Sequence, residues 1–232
     1  MEKGKPSFRE KGNLIILDDS KLIFNSQLVK ASNFFDLRLA NYGSETFNMS
    51  TMPELVELVY ASLENQDHEI AKEIANTWRR EWASGDTATY YFSEGMFVED
   101  TPNLIKFIGV EKPSFKTLER KLGKHEEKGV VFSDDGRTRF TPYNYKTGLQ
   151  SHLELSRNTA AIAFAGGEEK AEKLAKASEH YSKHLFFRVL DSESSIPRIA
   201  DLGAVNFEGR FFVDACGLQN TDRYSFGVKE TQ

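Results

Sequence analysis

Four polar side chains interrupt the apolar runs toward the C-terminus: Arg188, Asn206, Asp214 and Ser225. A charge set inside a covered strand must be paired, and a covered pair has the perturbed proton affinity that catalytic groups use. Alternation places Arg188 on the face of Phe186 and Leu190, and Asp214 on the face of Phe212 and Cys216. A polar cluster on one semi-buried sheet face is therefore expected, in which an Arg188–Asp214 pair is either a structural ion pair or a ligand contact. His152, close to Gln150 and Glu154, is a third candidate, for general acid or base work near a sheet edge. The same stretch, Ser151-His152-Leu153-Glu154, spells a helix-start capping box, which gives His152 a structural reading.

Gly166-Gly167 is the candidate for anion or cofactor binding, because it ends an apolar run and opens a helix, where backbone amides and the helix dipole can receive a negative charge. Glu168 and Glu169 stand where a phosphate would sit, and there is no Gly-x-Gly pair, so a tight turn with acidic residues complementing the dipole is the competing reading. His180 and His184 are spaced for one helix face, yet two imidazoles are not a metal site, and Tyr181 stands where a zincin glutamate would follow the first histidine. No metal-ligand set is assigned. Lys146-Thr147-Gly148 lacks the Ser-x-x-Lys nucleophile of penicillin-binding chemistry, and neither a Gly-x-Ser-x-Gly elbow nor a P-loop occurs. Trp78-Arg79-Arg80-Glu81-Trp82 resembles a single-strand nucleic-acid surface in composition, but the helical spacing of the tryptophans sends them to the core.

Composition narrows the classes that remain. Across 232 residues, 30 basic side chains face 35 acidic ones, and the net charge of −5 disfavours binding to a phosphate backbone. The single cysteine, Cys216, excludes an intrachain disulfide framework and fits a reducing, cytoplasmic setting. No stretch reads as a signal peptide or a membrane span. Nucleic acid and membrane are not expected as partners; a small molecule and a second copy of the chain are.

The elements that must position these residues follow from pattern. Residues 1–12 read as a flexible arm. Asn13 to Leu17 and Lys21 to Asn25 flank the turn-rich Asp18-Asp19-Ser20, Thr87 to Phe92 and Met96 to Glu99 flank a second turn, and Asp134-Asp135-Gly136 supplies the positive φ of a third hairpin. Ser50 or Thr51 caps a helix from Pro53 to about Leu63. Asp67 caps a second, carrying Ile70, Ile74, Trp78 and Trp82 and ended by Gly85, so the two form an αα-hairpin. Pro113 to Leu122 reads as a short helix and Lys124 to Gly129 as a charged connector, dividing an N-terminal α+β lobe (13–125) from a C-terminal α/β lobe (126–232), unless the two are one continuous domain.

The apolar run Thr159 to Ala165 reads as a buried strand, the segment from Glu168 to about His184 as a helix, and Leu185 to Leu190 as the returning strand, a βαβ unit with parallel strands. Val205 to Phe207, Phe211 to Ala215 and Tyr224 to Val228 then add antiparallel strands to the same sheet. The expectation is an α+β or mixed α/β fold, a mixed sheet with several β-hairpins, an N-terminal αα-hairpin and one C-terminal βαβ unit. Function divides into two expectations. One is a small-molecule binder or enzyme with its pocket between the lobes or at the Gly166-Gly167 end of the sheet, and the other is a non-enzymatic interaction or assembly protein.

Overall fold

In a computed structural model of the protein, the described residues are 5–102, 112–181, 184–203, 211–217 and 222–231. The chain opens with β1 (Arg9–Lys11), β2 (Leu14–Leu17) and β3 (Leu22–Asn25), an antiparallel meander in which Ile15 and Phe24 are fully buried. Phe8 is buried and Arg9 pairs with Ile16, so the end of the expected flexible arm is held to the sheet. After β4 (Val29–Ala31), α1 (Phe34–Arg38) and β5 (Asn48–Met49) comes the expected αα-hairpin of α2 (Met52–Glu64) and α3 (Glu69–Thr77). The Glu54 carboxylate, at the third helical position of α2, accepts hydrogen bonds from the Thr51 N–H and hydroxyl at 2.6 and 2.7 Å.

The second helix is shorter than its pattern. It is preceded by His68 rather than Asp67 and stops at Trp78, while Gly85, expected as its terminator, lies inside strand β6 (Ala83–Phe92). There a Cβ would meet the Met52 backbone nitrogen at 2.8 Å, so glycine is needed for the close approach of strand to helix. Trp78 enters the core as expected. Trp82 does not; it lies outside the helix and stacks on Phe212 at 5.6 Å. The hairpin of β6 with β7 (Gly95–Asp100) forms as read, followed by α4 (Phe115–Glu119). Lys124 to Glu127, expected as a connector, belongs to β8 (Leu122–Glu127), which turns into β9 (Val130–Ser133) and then, through Asp134-Asp135-Gly136, into β10 (Thr138–Thr141).

The largest departure is Thr159 to Ala165. It is a helix, α6 (Thr159–Ala165), reached from β11 (Gly148–Ser151) and α5 (His152–Leu155). A short apolar run is equally a buried strand or a buried helix by periodicity. Here four alanines favour the helix, Asn158 caps its first turn, and Gly166, at φ 81°, ends it in the left-handed region. With α7 (Glu168–Tyr181) following, the expected βαβ unit is replaced by a run of helices. A parallel pair does exist, between β12 (His184–Arg188) and β14 (Phe211–Gly217), but its connection carries β13 (Arg198–Gly203), which pairs antiparallel with β14.

The architecture is α+β with mixed sheets, as the sequence indicates. The larger sheet runs β11-β12-β14-β13-β6-β7-β10-β9-β8, with β15 (Arg223–Ser225) joined to both β4 and β6, and it takes strands from both sides of residue 125. Tyr224 to Val228, expected as one strand of that sheet, divides at Phe226, and β16 (Gly227–Glu230) instead enters a second sheet in the order β1-β2-β3-β16-β5. Val205 to Phe207 lies outside the described residues. Alternation along β6 assigns its two faces: Tyr91 packs with the helices, while Ala88, Tyr90 and Phe92 join Phe34, Leu37 and Phe97 in a second core. Among the described residues, no helix is long and apolar enough to cross a membrane.

Candidate functional site

A cleft of about 1170 Å³ opens in the surface of the described residues. Its walls come from the β2–β3 turn, α1, the first turns of α2, the β9–β10 turn, the α6–α7 junction and β16, so residues from both ends of the chain converge on it. Gly166 and Gly167 line it. Apolar side chains are few along these walls, and carboxylates outnumber basic groups.

Its floor is ionic and largely buried. Asp100 lies 2.7 Å from an Arg139 terminal nitrogen and accepts the Thr87 hydroxyl at 2.6 Å, while that hydroxyl accepts the Met52 N–H at 2.8 Å. This chain of contacts ties the N-terminus of α2 to the strands β6, β7 and β10. Arg139 is 1% exposed and lies beneath Gly166, where an added Cβ would come within 2.9 Å of its guanidinium. Beside this pair, Arg38 Nε stands 3.1 Å from Asp86 Oδ1, but off the line a hydrogen bond requires, and that oxygen makes no hydrogen bond. Burial pushes the Asp86 carboxyl up to about 6; Arg38 works against this, and the nearby Asp100 and Glu54 carboxylates add to it. Burial also raises Glu54, against its hydrogen bonds from Thr51.

Sequence reasoning pointed to Gly166 and Gly167 but passed over Arg38, Glu54, Asp86, Asp100 and Arg139. The signal that singled out Arg188 and Asp214, a charge interrupting an apolar strand, was present for Arg139 and Asp100 too. Arg139 has Val98 and Phe132 as cross-strand neighbours, and Asp100 ends a run in which Met96, Phe97 and Val98 are fully buried.

The structure brings Arg188 and Asp214 together as an ion pair, with Asp214 buried and Arg188 largely exposed. They belong to a charged row running straight across the strands, because Arg188 is in register with Asp214, Asp214 with Asp201 and Asp201 with Ser84. Arg223 completes it, donating to Asp201 and Ser84 at 3.1 and 3.0 Å. Alongside on the same face, Trp82 stacks on Phe212, and Phe186 packs against Phe212 at a tilt. None of these lines the cleft. Ser225 is fully buried, and Asn206 lies outside the described residues.

His152 joins neither group. It opens α5 inside the capping box of Ser151 and Glu154, and its Nδ1 lies 2.9 Å from Glu179. By register it stands just beyond the Ser151–His184 end of the β11–β12 pair, whereas Arg188 lies past the Gly148–Phe187 end. At the α6–α7 junction the Glu168 N–H is bonded to the Glu127 carboxylate at 2.7 Å, so a protein carboxylate takes the position expected for an anion. His180 and His184 are not on one helix: α7 ends at Tyr181 and His184 starts β12.

No family model matches the chain, and no curated protein matches it. A solved structure described as "Accommodation of massive sequence variation in Nanoarchaeota by the C-type lectin fold" superposes with a TM-score of 0.56, covering 88% of this chain and 96% of that chain at 14% sequence identity. The likeness is one of fold: helices with mixed sheets, arranged as in the C-type lectin fold.

Proposed function

We propose that the chain is a binding protein for a small, polar, charged molecule, held in the cleft that α2, the β9–β10 turn and the α6–α7 junction enclose. The observation that carries this reading is the ionic floor. Buried charges impose a desolvation cost that a merely structural wall avoids, and perturbed carboxylates gathered in a large cleft mark binding and catalytic sites. The cleft joins both ends of the chain and includes Gly166 and Gly167. Likeness to a fold described as accommodating massive sequence variation supplies a scaffold and no ligand. With one cysteine in the chain, we place the protein in a reducing compartment, the cytoplasm.

The test is thermal unfolding against amines, polyols, carboxylates and nucleotides. A ligand at a hundredfold its Kd stabilises the native state by ~2.7 kcal/mol, a rise in Tm of about 5–10 °C for a chain of this size. The rise should vanish in Ser20→Trp, which places an indole at the mouth of the cleft. No shift with any class defeats the reading.

A second reading, self-association, rests on β11. It terminates the larger sheet, and Leu149 on it and Leu153 just beyond are exposed. A dimer in sedimentation experiments that Leu149→Lys converts to monomer supports edge pairing; a wild-type monomer at all concentrations rejects it.

A further inference from the structure

We infer that the molecule bound in the cleft carries a primary ammonium or guanidinium group, which seats against Asp86 and Glu54. This rests on the cleft being a ligand site. The floor presents three carboxylates, Glu54, Asp86 and Asp100, to two guanidinium groups, Arg38 and Arg139. Asp100 accepts the Thr87 hydroxyl and has the Arg139 guanidinium beside it as a counter-charge. Glu54 accepts from the backbone and hydroxyl of Thr51 but has no ion pair with either arginine. Of the three carboxylates, Asp86, although Arg38 lies 3.1 Å away, is the one left without a hydrogen bond on a buried oxygen. Its backbone N–H is bonded to the Ser50 carbonyl and its carbonyl to the Thr101 N–H, yet Oδ1 of its 7%-exposed side chain receives no hydrogen bond. A buried carboxylate in that condition is costly, and an incoming N⁺–H donor supplies both the charge and the hydrogen bond it lacks.

The alternatives fit less well. An anion is the less favoured occupant: carboxylates outnumber basic groups along the walls, the Glu168 N–H is occupied by Glu127, and the Arg139 Nε and Nη2 that make no hydrogen bond are enclosed beneath Gly166 beside Asp100. Among the described residues no group of three or more histidine, cysteine or acidic side chains could hold a metal ion. The cleft is also far larger than a lone cation, so the charged group belongs to a larger polar molecule.

Agmatine, which carries an amine at one end and a guanidinium at the other, is a suitable probe, with citrate and glucose as anionic and neutral comparisons. Calorimetric titration of the full chain should show saturable agmatine binding. Asp86→Asn should weaken it at least tenfold, and Glu54→Gln several-fold, while Glu179→Gln, outside the cleft, should leave it unchanged. If Asp86→Asn fails to fold, as judged by circular dichroism, Glu54→Gln carries the comparison. Agmatine binding insensitive to both variants overturns the inference. So does stabilisation by citrate or glucose without agmatine, although the small-molecule reading then stands. If none of the three probes is bound, the inference falls, and the small-molecule reading is decided by the wider thermal panel.

Discussion

Asp86 shows how a single residue makes the site measurable. A carboxyl whose proton affinity is higher in the folded chain than in the unfolded chain is better tolerated protonated, so its ionisation costs the native state. The contribution is therefore unfavourable at neutral pH and disappears as pH falls through about 6 toward 4. At ~1.4 kcal/mol per pKa unit, the rise from the ordinary carboxyl value of 3.8 to about 6 corresponds to about 3 kcal/mol. The groups facing it are Arg38 from α1, Asp100 from β7 and Glu54 from α2, and only the first favours its charge. Asp86→Asn should accordingly gain stability relative to wild type as pH is raised from 4 to 7, read from denaturant midpoints at each pH. A difference that stays constant across that range would mean that the carboxyl titrates as if exposed. Sequence inspection could not reach Asp86. It stands in Ser84-Gly85-Asp86, where Gly85 reads as a helix terminator, and only the packing of β6 against α2 reveals that the strand has already begun.

Elements were legible where a turn or cap has its own local chemistry and illegible where only burial decides. The β9–β10 hairpin follows from Asp135-Gly136, and α2 from Thr51, Pro53 and Glu54, because these residues act within a few positions of themselves. Thr159 to Ala165 is buried throughout except at its first residue, so no amphipathic stripe reports its period, and the choice between strand and helix falls to alanine propensity and caps. Asn158 then deserves weight as the determinant of α6. Its side chain accepts from the Ala160 N–H at 3.0 Å and donates to the Lys146 carbonyl and to Gln150, both at 2.7 Å. Asn158→Ala removes the cap and takes the donor from the buried Gln150 side-chain oxygen, while the Lys146 carbonyl keeps its bond from the Gln150 amide, an expected loss of ~2–3 kcal/mol by chemical denaturation. Asn158→Asp should keep the cap but lose both donated bonds, and so fall between the two. Equal losses in both variants would show that the donated bonds, rather than the cap, govern the helix.

At the scale of the whole molecule, the chain is closed by its last strand. β16 lies between β3 and β5 in the smaller sheet, with Val228 in register with both Phe24 and Asn48, and the Thr231 N–H is bonded to the Lys21 carbonyl. Local pattern identifies a strand near Tyr224 to Val228, and Tyr224 and Ser225 do join the larger sheet, but it carries no information about a partner some two hundred residues earlier, so the passage of the chain from Gly227 into the smaller sheet is not legible in it. The cleft inherits this dependence, since Val228, Lys229 and Glu230 form one of its walls. Proline at an interior strand position removes a ladder donor and clashes with the neighbouring backbone, whereas an edge strand tolerates it. Val228→Pro should therefore cost at least ~3 kcal/mol and abolish ligand stabilisation, because it unpairs β3 and β5 together and opens the cleft wall. Glu10→Pro, in the exposed terminal strand β1, should cost under ~1 kcal/mol and leave binding intact. If the two substitutions proved equally mild, β16 would be an accessory to the fold, and the cleft would owe its shape to the larger sheet and helices alone.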